Sequence, residues 1–261
     1  MVASHSDAED PYAPLAPFYD LEYGERTEDL ELYLNLAQRT GGPVLEAGAG
    51  TGRVALPLAK AGYSVVALDR SSTMLSYARS KLRGAVARRL RLVEGDVRSF
   101  HVEERFSLAV LADNTFAELV TQQEQEQALR CISEHLAPGG VLVLVLQNPY
   151  TLVLNPPQSE VVLVWESIGS RAGEQTAKFS ANEADLANQL LHVHLWYDVT
   201  AADGTVRRFS SRFTQRWSYR PELELLLERT GFRVENWYGD YNLEPYEAHS
   251  PLLIVVGEKS G

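Results

Sequence analysis

The feature that most constrains the fold is a short apolar strand that runs into a glycine-rich loop and then into a helix. The strand is predicted over residues 43–48, and the loop reads Gly-Ala-Gly-Thr-Gly over residues 48–52. Glycine lets the backbone turn sharply and approach a ligand closely, because no side chain intervenes. This order of strand, loop and helix is typical of α/β proteins that bind a nucleotide at the carboxyl end of a parallel sheet.

The spacing of the glycines bears on which nucleotide is bound. A dinucleotide-binding fold expects a third glycine at position 53, in the G-x-G-x-x-G spacing, where the start of the helix receives a pyrophosphate. Arg53 stands at that position instead. The loop therefore argues against NAD, although a glycine loop taken alone is also compatible with a plain turn.

Apolar runs alternate with helical patterns from about residue 25 to residue 150, which predicts βαβ units around a parallel sheet. After the first strand, further strands are predicted over residues 64–69, 91–94, 106–112 and 141–146, with a turn at residues 138–140 before the last one. Helices are predicted over residues 28–39, 52–61 and 122–136, and from a serine cap at 71 or 72 through residue 81.

The helical period is lost between about residues 151 and 218, where strand-like pieces follow one another. They cover residues 161–167, 176–181, 190–199 and 206–218, with a hairpin signal at residues 202–204. A helix over residues 220–230 and strands over 232–238 and 252–257 then resume the earlier pattern. We therefore expect an antiparallel β insertion after the fifth strand, and an antiparallel edge that closes the main sheet.

Composition limits the partners. The formal net charge is −11, which would repel a phosphate backbone and disfavours a nucleic-acid substrate. No run of about 18 apolar residues is present to cross a membrane. Cys131 is the only cysteine, so neither a disulfide framework nor a cysteine zinc site is available. These observations predict a cytoplasmic protein that acts on a small molecule.

Three further pieces follow the predicted strands in order. Asp69 ends the second strand 21 residues after Gly48, where a carboxylate can accept hydrogen bonds from ribose hydroxyls or simply cap the next helix. The third strand is followed by residues 94–97, Glu-Gly-Asp-Val, and the fourth by residues 112–114, Ala-Asp-Asn. Both positions lie at the carboxyl edge of the sheet, where open α/β folds bind their ligands.

Together with Leu-Ala-Pro-Gly-Gly at residues 136–140, these pieces resemble the class I S-adenosylmethionine (SAM)-dependent methyltransferases, over residues 12–258. The resemblance implies a Rossmann-like sheet of seven strands with an antiparallel last strand. It also implies SAM as the cofactor and S-adenosylhomocysteine (SAH) as its product. The parts of such a chain would be a lid and helix in residues 1–40, the SAM-binding core in 41–150, the insertion in 151–218, and the end of the core in 219–261.

The same resemblance implies roles for individual residues. The methionyl part of SAM would face the start of the glycine loop, the ribose would meet the acid of the second strand, and the adenine would lie between the next two loops. The residues concerned are Glu46, Gly48, Ala49, Gly50, Gly52 and Arg53 at the loop, Asp69 on the ribose, Arg70, Met74, Asp96 and Val97 around the adenine, and Ala112 near the cofactor amine.

Residues 18–26 are similar to the N-terminal lid of small-molecule methyltransferases, including the sugar N-methyltransferases of macrolide tailoring. In that family the tyrosine closes over the site and the arginine pairs with the SAM carboxylate, which implies these roles for Tyr19 and Arg26. A guanidinium and a carboxylate make a strong, directional pair. The competing interpretation is the start of an ordinary amphipathic helix.

The acceptor site is less constrained. All four tryptophans follow residue 150, so the insertion could roof an acceptor with aromatic walls, or the rings could simply pack its sheet. Tyr19, Asn114 and His249 are the candidates near the transferred methyl group, with His249 as a possible general base. His192 and His194 share a strand face, but no spacing offers the third ligand that a metal needs, so we expect no metal.

The sequence thus predicts a SAM-dependent methyltransferase for a small-molecule acceptor, with the N, O or C atom left open. The alternatives are an NAD-dependent oxidoreductase on a Rossmann fold and a non-catalytic SAM-binding protein. We expect a monomer or a homodimer that binds neither nucleic acid nor a membrane.

Overall fold

The computed structural model describes residues 10–168 and 174–260, and its strands form two sheets. In chain order the strands are β1 Val44–Ala47, β2 Val65–Asp69, β3 Leu90–Glu94, β4 Phe106–Leu111, β5 Leu136–Gln147, β6 Gln158–Ile168, β7 Gln175–Asp185, β8 Leu190–Thr200, β9 Val206–Arg216, β10 Phe232–Tyr238 and β11 Leu252–Lys259.

The larger sheet has seven strands in the order β10-β11-β5-β4-β1-β2-β3. The pairs among β1 to β5 are parallel, whereas β11 runs antiparallel to both β5 and β10. The predicted Rossmann-like sheet of seven strands with an antiparallel last strand is therefore confirmed. Because its central strands are covered on both faces, they are almost wholly apolar and buried, as in β4 and β5.

Helices cover both faces of this sheet. In chain order, the α-helices of the described residues are α1 Ala16–Tyr23, α2 Leu30–Thr40, α3 Ala55–Lys60, α4 Ser72–Ser80, α5 Gly84–Arg89, α6 Gln122–His135, α7 Pro149–Leu154 and α8 Arg220–Arg229. Of these, α1 and α7 have side chains packed against the insertion. The predicted serine cap of α4 is Ser71, whose Oγ accepts a hydrogen bond from the Met74 amide at 3.0 Å. Thr121 and Glu124 form a reciprocal capping box at the start of α6.

One local prediction is wrong. The turn expected at residues 138–140 lies within β5, which runs without a break from Leu136 to Gln147. The pairing register of β4 and β5 shifts between Phe106 and Leu108, and Gly139 adopts a φ of +72°. The proline and glycines therefore do not end the strand. They form an irregularity within it, and glycine there adopts the backbone conformation that the irregularity requires.

The insertion forms a separate antiparallel sheet in the order β6-β7-β8-β9, so the expected insertion after strand 5 is confirmed. Helix α1 packs against one face of it. The Phe18 ring stacks on Tyr197 with centroids 4.5 Å apart and meets Phe209 edge-on at 5.0 Å. The N-terminal helix is thus in contact with the insertion, at the edge of the core.

Among the described residues, no helix is long and apolar enough to cross a membrane.

Candidate functional site

The glycine loop leaves β1 at the carboxyl edge of the large sheet, and the backbone there requires glycine. Gly48 and Gly50 have φ values of +76° and +55°. A Cβ on Gly48 would lie 2.2 Å from Cγ2 of Thr115, and one on Gly50 would lie 3.2 Å from Cε of Met74. Conformation and space both exclude a side chain at Gly48, and conformation disfavours one at Gly50, which leaves the backbone open to a ligand.

Asp69, at the end of β2, faces this loop. Its carboxylate accepts hydrogen bonds from the Gly50 amide at 2.6 Å and from the Ser71 amide at 2.8 Å. Burial raises the pKa of Asp69 above its ordinary value, although both hydrogen bonds act to lower it. The side chain thus links the glycine loop to the start of α4, which is the location predicted for the ribose site.

Two buried polar atoms next to the loop have no hydrogen-bond partner among the described residues. They are Oε2 of Glu46, at the carboxyl half of β1, and Nε of Arg53, just after the loop. Burial raises the pKa of Glu46 to about 8. Because unpaired buried polar atoms are costly, an acceptor and a donor in this place fit a polar ligand such as the amino-acid end of SAM.

Arginines from two segments meet at one carboxylate. Arg53 donates to both oxygens of Asp29, at 2.8 and 2.6 Å, and its Nη2 lies 3.0 Å from Oδ2 of Asp113. Arg26 donates from Nη1 to Oδ1 of Asp113 at 2.6 Å and from Nη2 to the Tyr241 hydroxyl at 3.2 Å. The end of β4 is therefore tied to the lid and to the glycine loop by charge-assisted hydrogen bonds.

Tyr19 belongs to the same cluster. Burial, and next the negative charge of Asp113, raise its pKa well above the ordinary value, while Arg53 acts in the opposite direction. Its ring lies 4.9 Å from that of Tyr23, between centroids. The structure thus brings together Tyr19, Arg26, Glu46 and Arg53, which the sequence analysis selected from segments far apart in the chain.

The residues predicted around the adenine lie on the other side of the loop. Met74 is buried below Gly50, and Arg70 donates to Oε2 of Glu118 at 3.2 Å. Asp96 is held by Arg98, with Nη2 to Oδ2 at 2.5 Å. Burial opposes ionisation of Asp96, but the hydrogen bonds from the Arg98 side chain and backbone outweigh it and lower the pKa. Val97 packs against the core, and Ala112 is buried at the end of β4.

The three catalytic candidates are placed very differently. Tyr19 lies in the cluster described above. Asn114 has a φ of +67°; its Oδ1 accepts from the Gln147 amide at 3.0 Å, and its Nδ2 donates to Oε1 of Gln215 at 3.3 Å. His249 is 86% exposed and lies 3.2 Å from Glu247. We therefore do not carry His249 into the proposed chemistry.

The histidine pair of β8 is engaged with the neighbouring strand. His192 is bonded to Thr214 at 3.2 Å, and His194 to Ser210 at 3.0 Å. Within residues 10–168 and 174–260, no group of three His, Cys, Asp or Glu side chains is arranged to hold a metal ion.

No local pattern in the sequence predicts a role for the carboxylates of Asp29 and Asp113. Asp113 stands in the predicted end of strand 4, but the sequence offers no sign that its carboxylate meets two arginines. Asp29 precedes α2 and looks like a helix cap, although its side chain makes no cap hydrogen bond. Both acids are recognised as part of the site only from the ion pairs that they form with arginines distant in the sequence.

Residues 44–140 match the family described as a methyltransferase domain. The cypemycin N-terminal methyltransferase of a Streptomyces species is 30% identical over 220 residues, which cover 84% of each chain. The dTDP-3-amino-3,4,6-trideoxy-alpha-D-glucopyranose N,N-dimethyltransferase of Streptomyces venezuelae is 26% identical, over 84% of this chain and 90% of that one. Among solved structures, the CcbJ methyltransferase from Streptomyces caelestis is similar, with a TM-score of 0.81 and 27% identity, covering 97% of this chain and all of the other.

These likenesses extend over most of the chain and agree with the glycine loop, the sheet order and the insertion. They do not favour an NAD-dependent oxidoreductase. The chain therefore belongs to the class I SAM-dependent methyltransferases.

Proposed function

We propose that this enzyme transfers a methyl group from SAM to an amine nitrogen of a small-molecule acceptor. Two of its relatives support nitrogen, because their names refer to the N-terminus of cypemycin and to a dTDP-3-amino sugar. The observation in this chain that carries the proposal is the set of groups around Asn114. Transfer to an oxygen or a carbon atom is the alternative that the experiment below separates.

The acceptor is proposed to bind where the ends of β4 and β5 face the insertion. Asn114 joins these parts through its hydrogen bonds to Gln147 and Gln215. A cavity beside it, with room for about one water molecule, is lined also by Leu146, Leu191 and Trp217, so an acceptor would have to enter by widening it. The buried Nε1 of Trp217 has no partner among the described residues. Amide and indole groups form hydrogen bonds but do not take up a proton near neutral pH. They suit an amine better than a hydroxyl. The free-base form of an amine, reached by loss of a proton to solvent before transfer, already has a nucleophilic lone pair, whereas a hydroxyl needs a base within the site to take its proton during transfer.

The roles of the chain's own residues follow from the site. When bound, SAM supplies a methyl group attached to a positively charged sulfur. That sulfur leaves as the neutral thioether of SAH, so the leaving group needs no acid. Asp69 and the backbone of residues 48–52 are proposed to hold the ribose and methionyl parts, with Arg70, Met74, Asp96, Val97 and Ala112 around the adenine and the cofactor amine. Tyr19 closes over the reacting atoms, and Asn114 orients the acceptor. Alignment and exclusion of water would then provide most of the rate acceleration.

We assign the parts of the chain accordingly. We propose residues 1–40 as the lid and helix, 41–150 as the cofactor-binding core, 151–218 as the cover of the acceptor site, and 219–261 as the end of the core. Residues 1–9, 169–173 and 261 of these ranges lie outside the described residues. The contact of α1 with the insertion supports a shared cover, because the Phe18 ring is stacked on Tyr197. The aromatic rings of this region would then both pack the small sheet and limit the entry of water.

Compartment and assembly are also proposals. The single cysteine, Cys131, is buried and free, which suits the reducing cytoplasm. The net charge of −11 argues against a nucleic-acid partner.

Strand β6 is an edge of its sheet, and its apolar side chains are exposed from Val161, at 64%, to Val164, at 49%. An apolar edge of this kind favours pairing with another strand, so we favour a homodimer over a monomer.

The test is a calorimetric titration with SAM and NAD, followed by SAH release measured over matched acceptors. The acceptors are small molecules that differ only in carrying an amine, a hydroxyl or an activated carbon. Turnover of the amines alone supports the proposal, whereas turnover of hydroxyl or carbon acceptors alone contradicts it. Binding of SAM without turnover of any acceptor favours the non-catalytic SAM-binding alternative.

A further inference from the structure

Asp113 holds an unusual position between two guanidinium groups. Oδ1 accepts from Arg26 at 2.6 Å and Oδ2 accepts from Arg53 at 3.0 Å, so each oxygen serves a different arginine. Arg26 comes from the lid and Arg53 from the end of the glycine loop. The carboxylate therefore stands where three parts of the cofactor site meet.

The backbone that presents this carboxylate is constrained. Asp113 and Asn114 have φ values of +50° and +67°, two successive residues in the left-handed region. Such conformations are unfavourable for non-glycine residues and persist only where the surroundings fix them. Here the Asn114 amide donates to the Val145 carbonyl at 3.0 Å, and the Thr115 amide donates to the Ala112 carbonyl at 3.0 Å. Asp113 is thus held firmly at the carboxyl edge of the sheet.

The two acids that pair with Arg53 are not equivalent. Asp29 is fully buried and accepts two hydrogen bonds from the same guanidinium, so its oxygens are committed to that pair. The Asp113 side chain is 25% exposed and accepts only one hydrogen bond from each arginine. Of these two carboxylates, Asp113 is the one that can receive a further cation.

The amino-acid end of SAM carries both a carboxylate and an ammonium, and both must be paired when they leave water. The arginines can pair with the carboxylate, but they repel the ammonium. We propose that the carboxylate of Asp113 binds the α-ammonium of the cofactor, beside the arginines that receive its carboxylate. This inference rests on the SAM dependence of the enzyme and does not depend on the nature of the acceptor.

The test compares Asp113→Asn with the unaltered protein by calorimetry, using two probes. One is SAH, and the other is a desamino analogue of SAH that keeps the carboxylate but lacks the ammonium. Asparagine tolerates the left-handed backbone, so the substitution removes the charge and leaves the conformation. The unaltered protein is expected to bind SAH about tenfold or more tightly than the analogue, and Asp113→Asn is expected to lose most of that preference.

Two outcomes would overturn the proposal. A preference for SAH that persists in Asp113→Asn means that another group holds the ammonium. Tighter binding of both probes by the variant means that Asp113 only competes with the cofactor for the arginines. Asp96→Asn is the matched control, since a residue on the adenine side should leave the ratio between the two probes unchanged. If the unaltered protein bound neither probe, the assignment of SAM as the cofactor would fail. That result is distinguishable from a failure of the Asp113 proposal, in which the unaltered protein still binds SAH.

Discussion

The Lys178 ammonium lies 2.8 and 2.9 Å from the two carboxylate oxygens of Glu22 and 2.7 Å from the hydroxyl of Tyr23. Both charged side chains are nearly inaccessible, at 6% and 7% exposure. Glu22 belongs to α1 and Lys178 to β7, so the pair joins the N-terminal lid to the insertion. The position of the lid therefore depends on the insertion as well as on the core.

This buried pair predicts a strong asymmetry between single and double substitutions. Lys178→Met leaves the Glu22 carboxylate buried without its counter-ion, although the Tyr197 hydroxyl still donates to it. We expect the free energy of unfolding to fall by about 3 kcal/mol. Adding Glu22→Gln removes the unpaired charge, so the double variant should regain much of that loss. Urea unfolding of the three proteins measures the difference.

The exposed pair Arg208 and Asp198, in the same small sheet, gives the control. Arg208→Ala should lower the free energy of unfolding far less than Lys178→Met does, because an ion pair with an exposed arginine contributes little. If Lys178→Met were as mild as Arg208→Ala, the lid would not depend on the buried pair.

The glycine loop predicts a loss of cofactor affinity on substitution. Gly50→Val places a β-branched residue at a φ of +55° and close to Met74, which strains the backbone that faces the ligand. We expect at least a tenfold weaker binding of SAM by calorimetry. Gly204→Val is the control, because Gly204 also has a positive φ but lies in the β8–β9 hairpin, far along the chain from the loop. Equal SAM affinity of the two variants would argue against this pocket.

Asp69 gives a second, independent prediction for the same pocket. Asp69→Ala removes the acceptor of the Gly50 and Ser71 amides as well as the carboxylate proposed for the ribose. Binding of SAM should weaken by about tenfold or more. Asp69→Asn keeps one side-chain oxygen, so its affinity for SAM should lie between those of the unaltered protein and Asp69→Ala. Near-native unfolding in urea would show that the loss is local. Unchanged SAM affinity in Asp69→Ala would remove Asp69 from the site.

Much of this fold could be predicted because its long elements carry a clear period. The alternation of buried strands and helices predicted the large sheet, and the loss of the helical period predicted the insertion. The helices α5 and α7 were missed because six residues are fewer than two turns and show no reliable period. Helix α3 is equally short and was predicted from its place after the glycine loop. The turn expected at residues 138–140 was wrong because tertiary pairing with β4 kept proline and glycine inside a strand.

The site divides in the same way. Glycine spacing and the acid at the end of β2 are local signals, so the loop and Asp69 could be selected from the sequence. The network of Arg26, Arg53 and Asp113 joins residues 60 and 87 positions apart, and no local pattern reports such a pairing. His249 was selected only for its place before the last strand, and its side chain is exposed to solvent beside Glu247.

Asn114 and His249 should therefore differ in their effect on activity. Asn114→Ala removes hydrogen bonds that join β4, β5 and β9, and we expect kcat to fall by about tenfold or more with little change in SAM affinity. His249→Gln should alter kcat by less than about twofold, since an exposed side chain is replaced by another. Steady-state kinetics with one active acceptor tests both. A large loss in His249→Gln would restore the histidine as a candidate base.

The last prediction concerns Glu46, whose pKa burial raises from an ordinary value of 4.5 to about 8. Between these two values the folded protein keeps a proton that the unfolded chain releases. The protonated Glu46 side chain therefore makes its whole contribution to the free energy of unfolding below about pH 4.5, and this contribution is lost as the pH rises toward 8. The loss should approach about 1.4 kcal/mol per pH unit, since one proton is involved.

Glu46→Gln is uncharged at every pH and should lack this contribution. The free energy of unfolding in urea, measured for both proteins at pH 5, 6, 7 and 8, gives a difference in which the other titrating groups largely cancel. That difference should shift steadily in favour of the variant as the pH rises, because the unaltered protein must then either bury a charge or hold the proton against solvent. A difference that stayed constant over this range would mean that Glu46 ionises in the folded protein much as it does in the unfolded chain, and its unpaired oxygen would then carry a full negative charge beside Arg53.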